Sequence, residues 1–403
     1  MLGRTDELVR VLDETGAEAV VVAVARADSA LLREVDAVAT AAGAHVLVLP
    51  PLDEVLRRGA RARDLRDLSL DDLVGRRPVD IDLGAASDYL RGRRVLVTGA
   101  GGSIGSELCR QIAALRPAEL LMLDRDETGL QAVQVSISGH GLLDTGDVVL
   151  ADIRDARALH AVFRDRRPEV VFHAAALKHL PMLEQYPLEA WQTNVMGTLN
   201  VLDACEAIGV TTVVNVSTDK AAAPTSVLGR SKRLAERLTA DRAARTGHRY
   251  LSVRFGNVFG SRGSLVPLFR SLIEQGRPLT VTHPDATRYF MSIPEACQLV
   301  VQAGAVGAPG EALVLDMGEP VRILDVARRM VEMSGRDVDI VFTGLRPGEK
   351  LHEELTAPDE HAHRPVHPLI SHTAVPPLSP CDLDPATVRG HDAQGRDRVG
   401  TAS

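Results

Sequence analysis

Short apolar runs alternate with amphipathic stretches along most of the chain. Ala19–Ala25 (AVVVAVA) and His45–Leu49 (HVLVL) are valine-rich and of strand length, the second stopped by Pro50 and Pro51. Residues 6–14 and 29–42 carry helical spacing. This αβαβ run, residues 1–60, reads as part of a doubly wound α/β unit. It is too small to bury both faces of a sheet alone, so it is expected to dock on the rest of the chain or on another subunit. Residues 61–92, rich in Arg, Asp and Leu, read as a linker with short helical pieces.

From residue 94 the pattern becomes regular. Arg94–Thr98, Leu120–Asp124, Val148–Asp152, Val170–His173, Val213–Thr218 and Leu251–Phe255 read as strands. Helical segments lie between them, near 105–115, 127–137, 155–165, 188–208 and 229–246. Strands alternating with helices predict βαβ units, hence a Rossmann-type doubly wound parallel sheet over residues 93–258. Over 259–356 the alternation breaks, which places a smaller α/β substrate-binding part there, interleaved with the sheet domain. Residues 357–403 are crowded by Pro358, Pro365, Pro368, Pro376, Pro377, Pro380 and Pro385 and read as a poorly ordered tail. His361, His363 and His367 in it read as solvated, and no metal site is expected.

Composition narrows the class. The 403 residues hold 46 Lys+Arg against 54 Asp+Glu, a net charge of −8, which leaves no bulk footprint for nucleic acid or an anionic membrane. Cys109, Cys205, Cys297 and Cys381 are scattered without a CxxC pair, which fits a reducing compartment and excludes a zinc ribbon. No apolar run is long enough to span a bilayer and the first residues lack a signal-peptide core, so a cytoplasmic protein without a membrane span is expected.

Four motifs carry chemistry. In VLVTGAGGSIGSEL (95–108) a strand ending at Thr98 runs through Gly99, Gly102, Ser103, Ile104 and Gly105 into a helix. Glycines there let the backbone approach a pyrophosphate, and the helix N-terminus offers free N–H groups to it. Asp124 ends the next strand, where a carboxylate accepts from the adenosine 2′-OH and repels a 2′-phosphate. The pattern favours NAD over NADP, a preference the adjacent Arg125 weakens. Asp152 and Ile153 close a further strand where Asp152 can reach adenine, or else cap a helix as Asp155 can. Ala174, Ala175 and Ala176 leave room for a cofactor beside the backbone, followed by Lys178 and His179. Finally, Ser217, Thr218, Asp219 and Lys220 cluster at a strand end, and Lys232 follows on the next helix. A hydroxyl, a carboxylate and two amines in one crevice suit proton transfer accompanying hydride chemistry.

These motifs resemble the extended short-chain dehydrogenase/reductases. More narrowly, GSIGSELCRQI, AALKHLPMLE, TNVMGT, STDKA, RFGNVFGSRGS, TRYFMSIPEA and LRPGEKLHEEL are similar to the bacterial UDP-N-acetylglucosamine 4,6-dehydratases of the polysaccharide-biosynthesis group, over about residues 88–356. Residues 1–60 resemble the latter part of the extra N-terminal domain of the large, membrane-anchored members, whose membrane helices have no counterpart here. The superfamily uses Tyr-x-x-x-Lys; here Leu228 stands four before Lys232, and none of Tyr89, Tyr186, Tyr250 or Tyr289 has a lysine four residues on. In the large dehydratases a methionine often stands there, so the resemblance is to the configuration-retaining branch.

The resemblance implies a redox-neutral reaction on a UDP-N-acetylhexosamine: NAD takes a hydride from C4, water is eliminated across C5 and C6, and the hydride returns to C6. It implies Lys220 as base at C5, Asp219 as acid at C6, Thr218 at the C4 hydroxyl and Lys232 at the nicotinamide ribose. Burial should raise the Asp219 pKa and lower that of Lys220. Asn194 resembles an asparagine near the family's site. Arg254, Asn257 and Arg262 are expected at the sugar and diphosphate, and Arg288, Arg346 and Glu349 at the nucleotide end. A homo-oligomer is expected. A nucleotide-sugar epimerase or reductase, or a non-catalytic nucleotide-sugar-binding partner in envelope synthesis, remains open.

Overall fold

A computed structural model describes residues 4–24, 29–49, 66–67, 83–143 and 145–389. Its centre is an eight-stranded sheet: β1 (Arg94–Thr98), β2 (Glu119–Asp124), β3 (Val148–Leu150), β4 (Val170–His173), β5 (Thr212–Val216), β6 (Arg249–Arg254), β7 (Glu311–Leu315) and β8 (Ile370–Ala374). The spatial order is β8-β7-β6-β5-β4-β1-β2-β3. Seven strands are parallel, and only β8 runs antiparallel, against β7. The order reverses between β1 and β4, and there the carboxyl ends of the strands open a crevice, the switch point where doubly wound sheets bind ligands. The α/β expectation holds.

The strands are continuous apolar runs because helices cover both faces. α1 (Ser103–Ala114) and α2 (Glu127–Ser138) share one core with the helix Ile293–Val306, including Leu108, Ile112, Leu130, Leu299 and Val300. α3 (Ala156–Arg166), α4 (Gly197–Ile208) and α5 (Val227–Thr246) pack on the other face around Leu96, Phe163, Leu202 and Leu238. Helix starts are fixed chemically: Asp126, Asp155 and Ser226 each accept a hydrogen bond from a backbone N–H in the first turn of α2, α3 and α5.

Two smaller bodies flank the sheet. Helices Leu265–Glu274 and Ile323–Ser334, with short paired strands, enclose a separate core around Phe259, Phe269, Leu279 and Phe290. The chain between these helices returns to the large sheet as Ile293–Val306 and β7, so this part is threaded through the main domain. At the N-terminus, parallel strands Ala19–Val22 and His45–Val48 pack with helices Leu8–Thr15 and Ser29–Ala41 around Leu12, Val22, Leu32 and Val46. Asp36 of this unit pairs with Arg329. Most of the expected linker 61–92 lies outside the described residues; Arg66–Asp67 pairs with His45–Val48, and Leu83–Leu90 is a helix.

The tail expectation needs correction over 357–389. Ile370–Ala374 forms β8 along the whole of β7, and Ala386–Arg389 is a short helix whose Val388 is fully buried. Prolines suit this segment because they flank an edge strand without interrupting it. Residues 390–403 lie outside the described residues.

Candidate active site

The crevice at the switch point is a cavity of about 640 Å³, bordered by α1, the loops after β2 to β6, and residues 261–266. That volume suits a cofactor with a small-molecule substrate.

One half is built for a dinucleotide. Gly99 has φ +71°, and a Cβ there would lie 2.6 Å from the Ala175 nitrogen, so the β1 turn lies hard against the loop after β4. α1 begins at Gly102 with no side-chain cap, and Gly102, Ser103, Ile104 and Gly105 line the cavity with its first N–H groups free for an anion. At the end of β2, Asp124 accepts from the N–H of Gly101 (2.9 Å) and of Asp126 (3.0 Å), which fixes its carboxylate at the rim. Arg125 turns to Asp152 at 3.5 Å, and Arg154 binds the same carboxylate at 2.8 Å. Partial burial pushes the Asp152 carboxyl up, but the two arginines hold it below its usual range. Asp155, not Asp152, caps α3. Ile153, Ala174, Ala175 and Ala176 form the apolar wall between.

Thr98 and Asn194 lie behind this wall rather than on it. Thr98 Oγ1 meets His173 Nδ1 at 2.7 Å, and His173 Nε2 meets Thr198 Oγ1 at 3.0 Å. Thr198 donates to the Asn194 carbonyl, so it accepts from His173, whose proton therefore sits on Nε2. Burial, with Lys232 nearby, drives the His173 pKa down to about 3 and keeps the ring neutral. Asn194 lies in a π-helical stretch, Trp191–Met196. Its amide exchanges hydrogen bonds with the Leu177 backbone (2.8 and 3.0 Å) and donates to Ser231 on α5 (3.0 Å). It ties the alanine loop to α5.

The other half is lined by Thr218, Lys220 and Lys232, with Asp219 buried off the lining. Thr218 leaves β5 and starts a tight 3₁₀ turn, Asp219–Ala221. Thr218 Oγ1 donates to Asp219 Oδ1 (2.8 Å), and Lys220 Nζ donates to the same oxygen (3.0 Å) and to Asn257 Oδ1 (3.4 Å). Asp219 Oδ2 is buried without a partner, beside Gly256. Lys220 Nζ also lies 3.5 Å from Glu353, a buried carboxylate from the LHEEL segment. Burial alone would lower the Lys220 pKa; Asp219 and Glu353 outweigh it, so the amine is held above its ordinary value. That reverses the expected direction: the adjacent Asp219, and after it Glu353, outweigh the burial that the expectation rested on. Lys232 Nζ donates to the Val216 carbonyl at 2.5 Å, and burial, opposed by Glu236, lowers it to about 8. Leu228 lines the cavity one turn earlier on α5.

Lys178, His179 and Asn257 also line the cavity. Burial lowers the pKa of Lys178, with Arg262 adding to it, and that of His179, with Lys178 adding to it. Arg262 is drawn to the cofactor half: its N–H donates to Ser103 Oγ (3.1 Å), and its guanidinium reaches the Gly101 carbonyl and lies 3.5 Å from Asp126. Arg254 does not reach the cavity. It is fully buried behind it, paired to Glu236 (2.7 Å) and Glu360 (2.6 Å), which corrects its expected place at the sugar. Arg288, Arg346 and Glu349 also lie off the cavity lining. Arg288 is buried on Glu349 at 2.8 Å, and Arg346 is exposed. The sequence signal for Glu353 is slight: a glutamate pair, Glu353 and Glu354, bracketed by Leu351 and Leu355.

The family described as "Polysaccharide biosynthesis protein" matches residues 95–374. The chain is 43% identical over 332 residues to the probable polysaccharide biosynthesis protein EpsC of Bacillus subtilis, covering 81% of this chain and 56% of that one, so it spans little more than half the relative's length. The structure of Pen from Bacillus thuringiensis matches with a TM-score of 0.66 at 31% identity, covering 72% of this chain and 90% of that one. The dTDP-glucose 4,6-dehydratase DesIV of Streptomyces venezuelae, solved with NAD and TYD bound, matches with a TM-score of 0.58 at 26% identity, covering 66% and 88%. No described helix is long and apolar enough to cross a membrane.

Proposed function

The chain belongs to the polysaccharide biosynthesis protein family, and from that premise we propose that it is an NAD-dependent 4,6-dehydratase acting on UDP-N-acetylglucosamine. The observation that carries this reading is the Asp219–Lys220 pair, joined at 3.0 Å beside Thr218 at the mouth of β5. An epimerase needs no acid and base at C5 and C6.

Bound NAD supplies the hydride acceptor for C4 and the hydride donor for C6. The cradle fits it: Gly99 admits no Cβ, the α1 N-terminus is uncapped, and the Asp124 carboxylate stands where a 2′-phosphate would be repelled. Lys232, lowered to about 8, would hold the nicotinamide ribose. Oxidation at C4 acidifies the C5 proton, and the site then needs a base and an acid together. The resting pair is an ammonium and a carboxylate. Moving one proton across the Nζ–Oδ1 bond turns it into an amine and a carboxylic acid, with no outside donor. Lys220 takes the C5 proton, Asp219 gives its proton to the departing C6 hydroxyl as water, and the ion pair is restored. Thr218 is placed for the C4 hydroxyl, whose proton leaves through Thr218, a water or a lysine. Lys178, His179 and Asn257 supply polar groups to the sugar and diphosphate. Arg262 would meet the diphosphate from the cofactor side, and Arg346, with the Arg288–Glu349 pair, would meet the nucleotide end from outside the cavity lining. We place the reaction in the cytoplasm, in a homo-oligomer.

The test is purified protein with UDP-N-acetylglucosamine and no added reductant, followed by proton NMR. A new C6 methyl doublet with a hydrated 4-keto signal is the expected result, and the C5 coupling reports retention. Saturable substrate binding with no turnover in the presence of NAD would overturn the dehydratase in favour of a binding protein.

A further inference from the structure

The strand end that carries Lys220 is met by a segment more than 130 residues later in the chain, which brings Glu353 to the far side of the amine. The Glu353 side chain is 3% exposed, 3.5 Å from Lys220 Nζ and 3.9 Å from the Arg288 guanidinium. Arg288 is already committed to Glu349 at 2.8 Å and to the carbonyls of Thr287 and Leu351. The nearest cation facing Glu353 is therefore Lys220. The groups facing Lys220 are Asp219 from its own turn, Glu353 from the late segment, Arg288 beyond it, and the neutral amide of Asn257.

We propose that Glu353 is a positioning residue for Lys220: its buried carboxylate holds the ammonium between itself and Asp219 and fixes the pH at which the amine becomes free. The role in C5 deprotonation rests on the dehydratase reading, but the pairing itself does not. An amine that accepts a proton from carbon becomes a cation in a dry crevice, and Glu353 is the counter-charge that meets it. Arginine could not serve in Lys220's place, since a guanidinium does not lose its proton. The lysine usage of the chain agrees. It has four lysines among its 46 basic residues, and Lys178, Lys220 and Lys232 all line this one cavity, while Lys350 pairs with Glu354 at 3.3 Å.

Four lysines make the proposal directly measurable. With lysine labelled at Cε, the 403-residue chain gives four methylene signals, and Lys220→Arg removes the one that reports on Lys220. In the wild type that signal must titrate above those of Lys178 and Lys232. In Glu353→Gln its midpoint falls by about one pH unit, a tenfold loss of proton affinity, while Glu353→Asp stays near the wild type. In turnover, Glu353→Gln lowers kcat about tenfold with KM within about twofold. A Lys220 midpoint that does not move in folded Glu353→Gln overturns the proposal. So does a wild-type Lys220 that titrates with or below Lys178 and Lys232, which does not depend on Glu353→Gln folding. An unchanged kcat overturns the positioning role. A midpoint that moves in a protein making no 4-keto product leaves the pairing standing and removes the dehydratase reading instead.

Discussion

Two buried ionic clusters lie back to back beside β5. In front, Asp219, Lys220 and Glu353 surround an amine whose Nζ opens to the cavity. Behind, Glu236 accepts from Ser217 (2.6 Å) and from Arg254, which with Arg233 also holds Glu360. Both join the strand end to a late segment of the chain, and both alternate carboxylate and cation. They differ in the cation. The rear cluster uses guanidinium forks that bind two carboxylates bidentately and cannot be deprotonated. The front uses a single amine with one carboxylate oxygen, Asp219 Oδ2, left unpartnered. The rear cations stay charged, whereas an amine such as the front one is able to lose its proton. An unpartnered buried carboxylate oxygen costs stability, a cost the fully paired rear carboxylates avoid.

The contrast breaks most sharply at the front. Lys220→Met and Asp219→Asn are each expected to lower formation of the C6 methyl product by about 10³-fold. Lys220→Met also strands the buried Asp219 and Glu353 carboxylates, so it is Asp219→Asn that should leave thermal unfolding close to that of the wild type. Loss of fold in Asp219→Asn would erase the difference between the clusters. At the rear the outcome inverts. Arg254→Met leaves Glu236 and Glu360 buried without their fork, and denaturant unfolding should show a loss of about 3–5 kcal/mol. The smallest effect is a matter of pH. Burial pushes the Glu360 carboxyl up, but Arg254, the Ala357 N–H and Arg233 bring it down to about 2, well below the ordinary carboxylate range. A depressed carboxyl contributes stability above its unfolded pKa and loses it as pH falls through the folded one. The wild type should therefore lose on the order of 2–3 kcal/mol between about pH 5 and pH 2 from this group, and Glu360→Gln should flatten that part of a pH–stability curve. An unflattened curve would assign the acid sensitivity to other carboxylates.

How far the sequence could show this follows from distance along the chain. β1, β2, β4 and β5 are apolar runs closed by Thr98, Asp124, His173 and Ser217, so the sheet and its switch point were readable locally. The glycine turn, the Asp219–Lys220 step and Leu228 were readable for the same reason. Arg254 was misplaced because every residue of β6 from Tyr250 to Arg254 is buried, so no alternation marks which face an arginine takes. Its partner Glu360 lies 106 residues on. The Glu353–Lys220 contact likewise spans segments that only the fold brings together. β8 was hidden by proline density, which marks chain direction changes and says little about the five residues between them.

The antiparallel edge strand β8 has a consequence for synthesis. A nascent chain that has emerged as far as β7 has a parallel sheet with an open edge, Arg254 without Glu360, and β7 unpaired on one side. Only when Glu360 and Ile370–Ala374 clear the ribosome can that edge be closed and the second carboxylate be added to the Arg254 fork. The crevice thus depends on residues translated long after its own loops, and until they arrive an exposed strand edge is open to wrong partners. Ribosome-stalled chains ending before and after this segment should differ in protease resistance across the whole sheet, not at its edge alone.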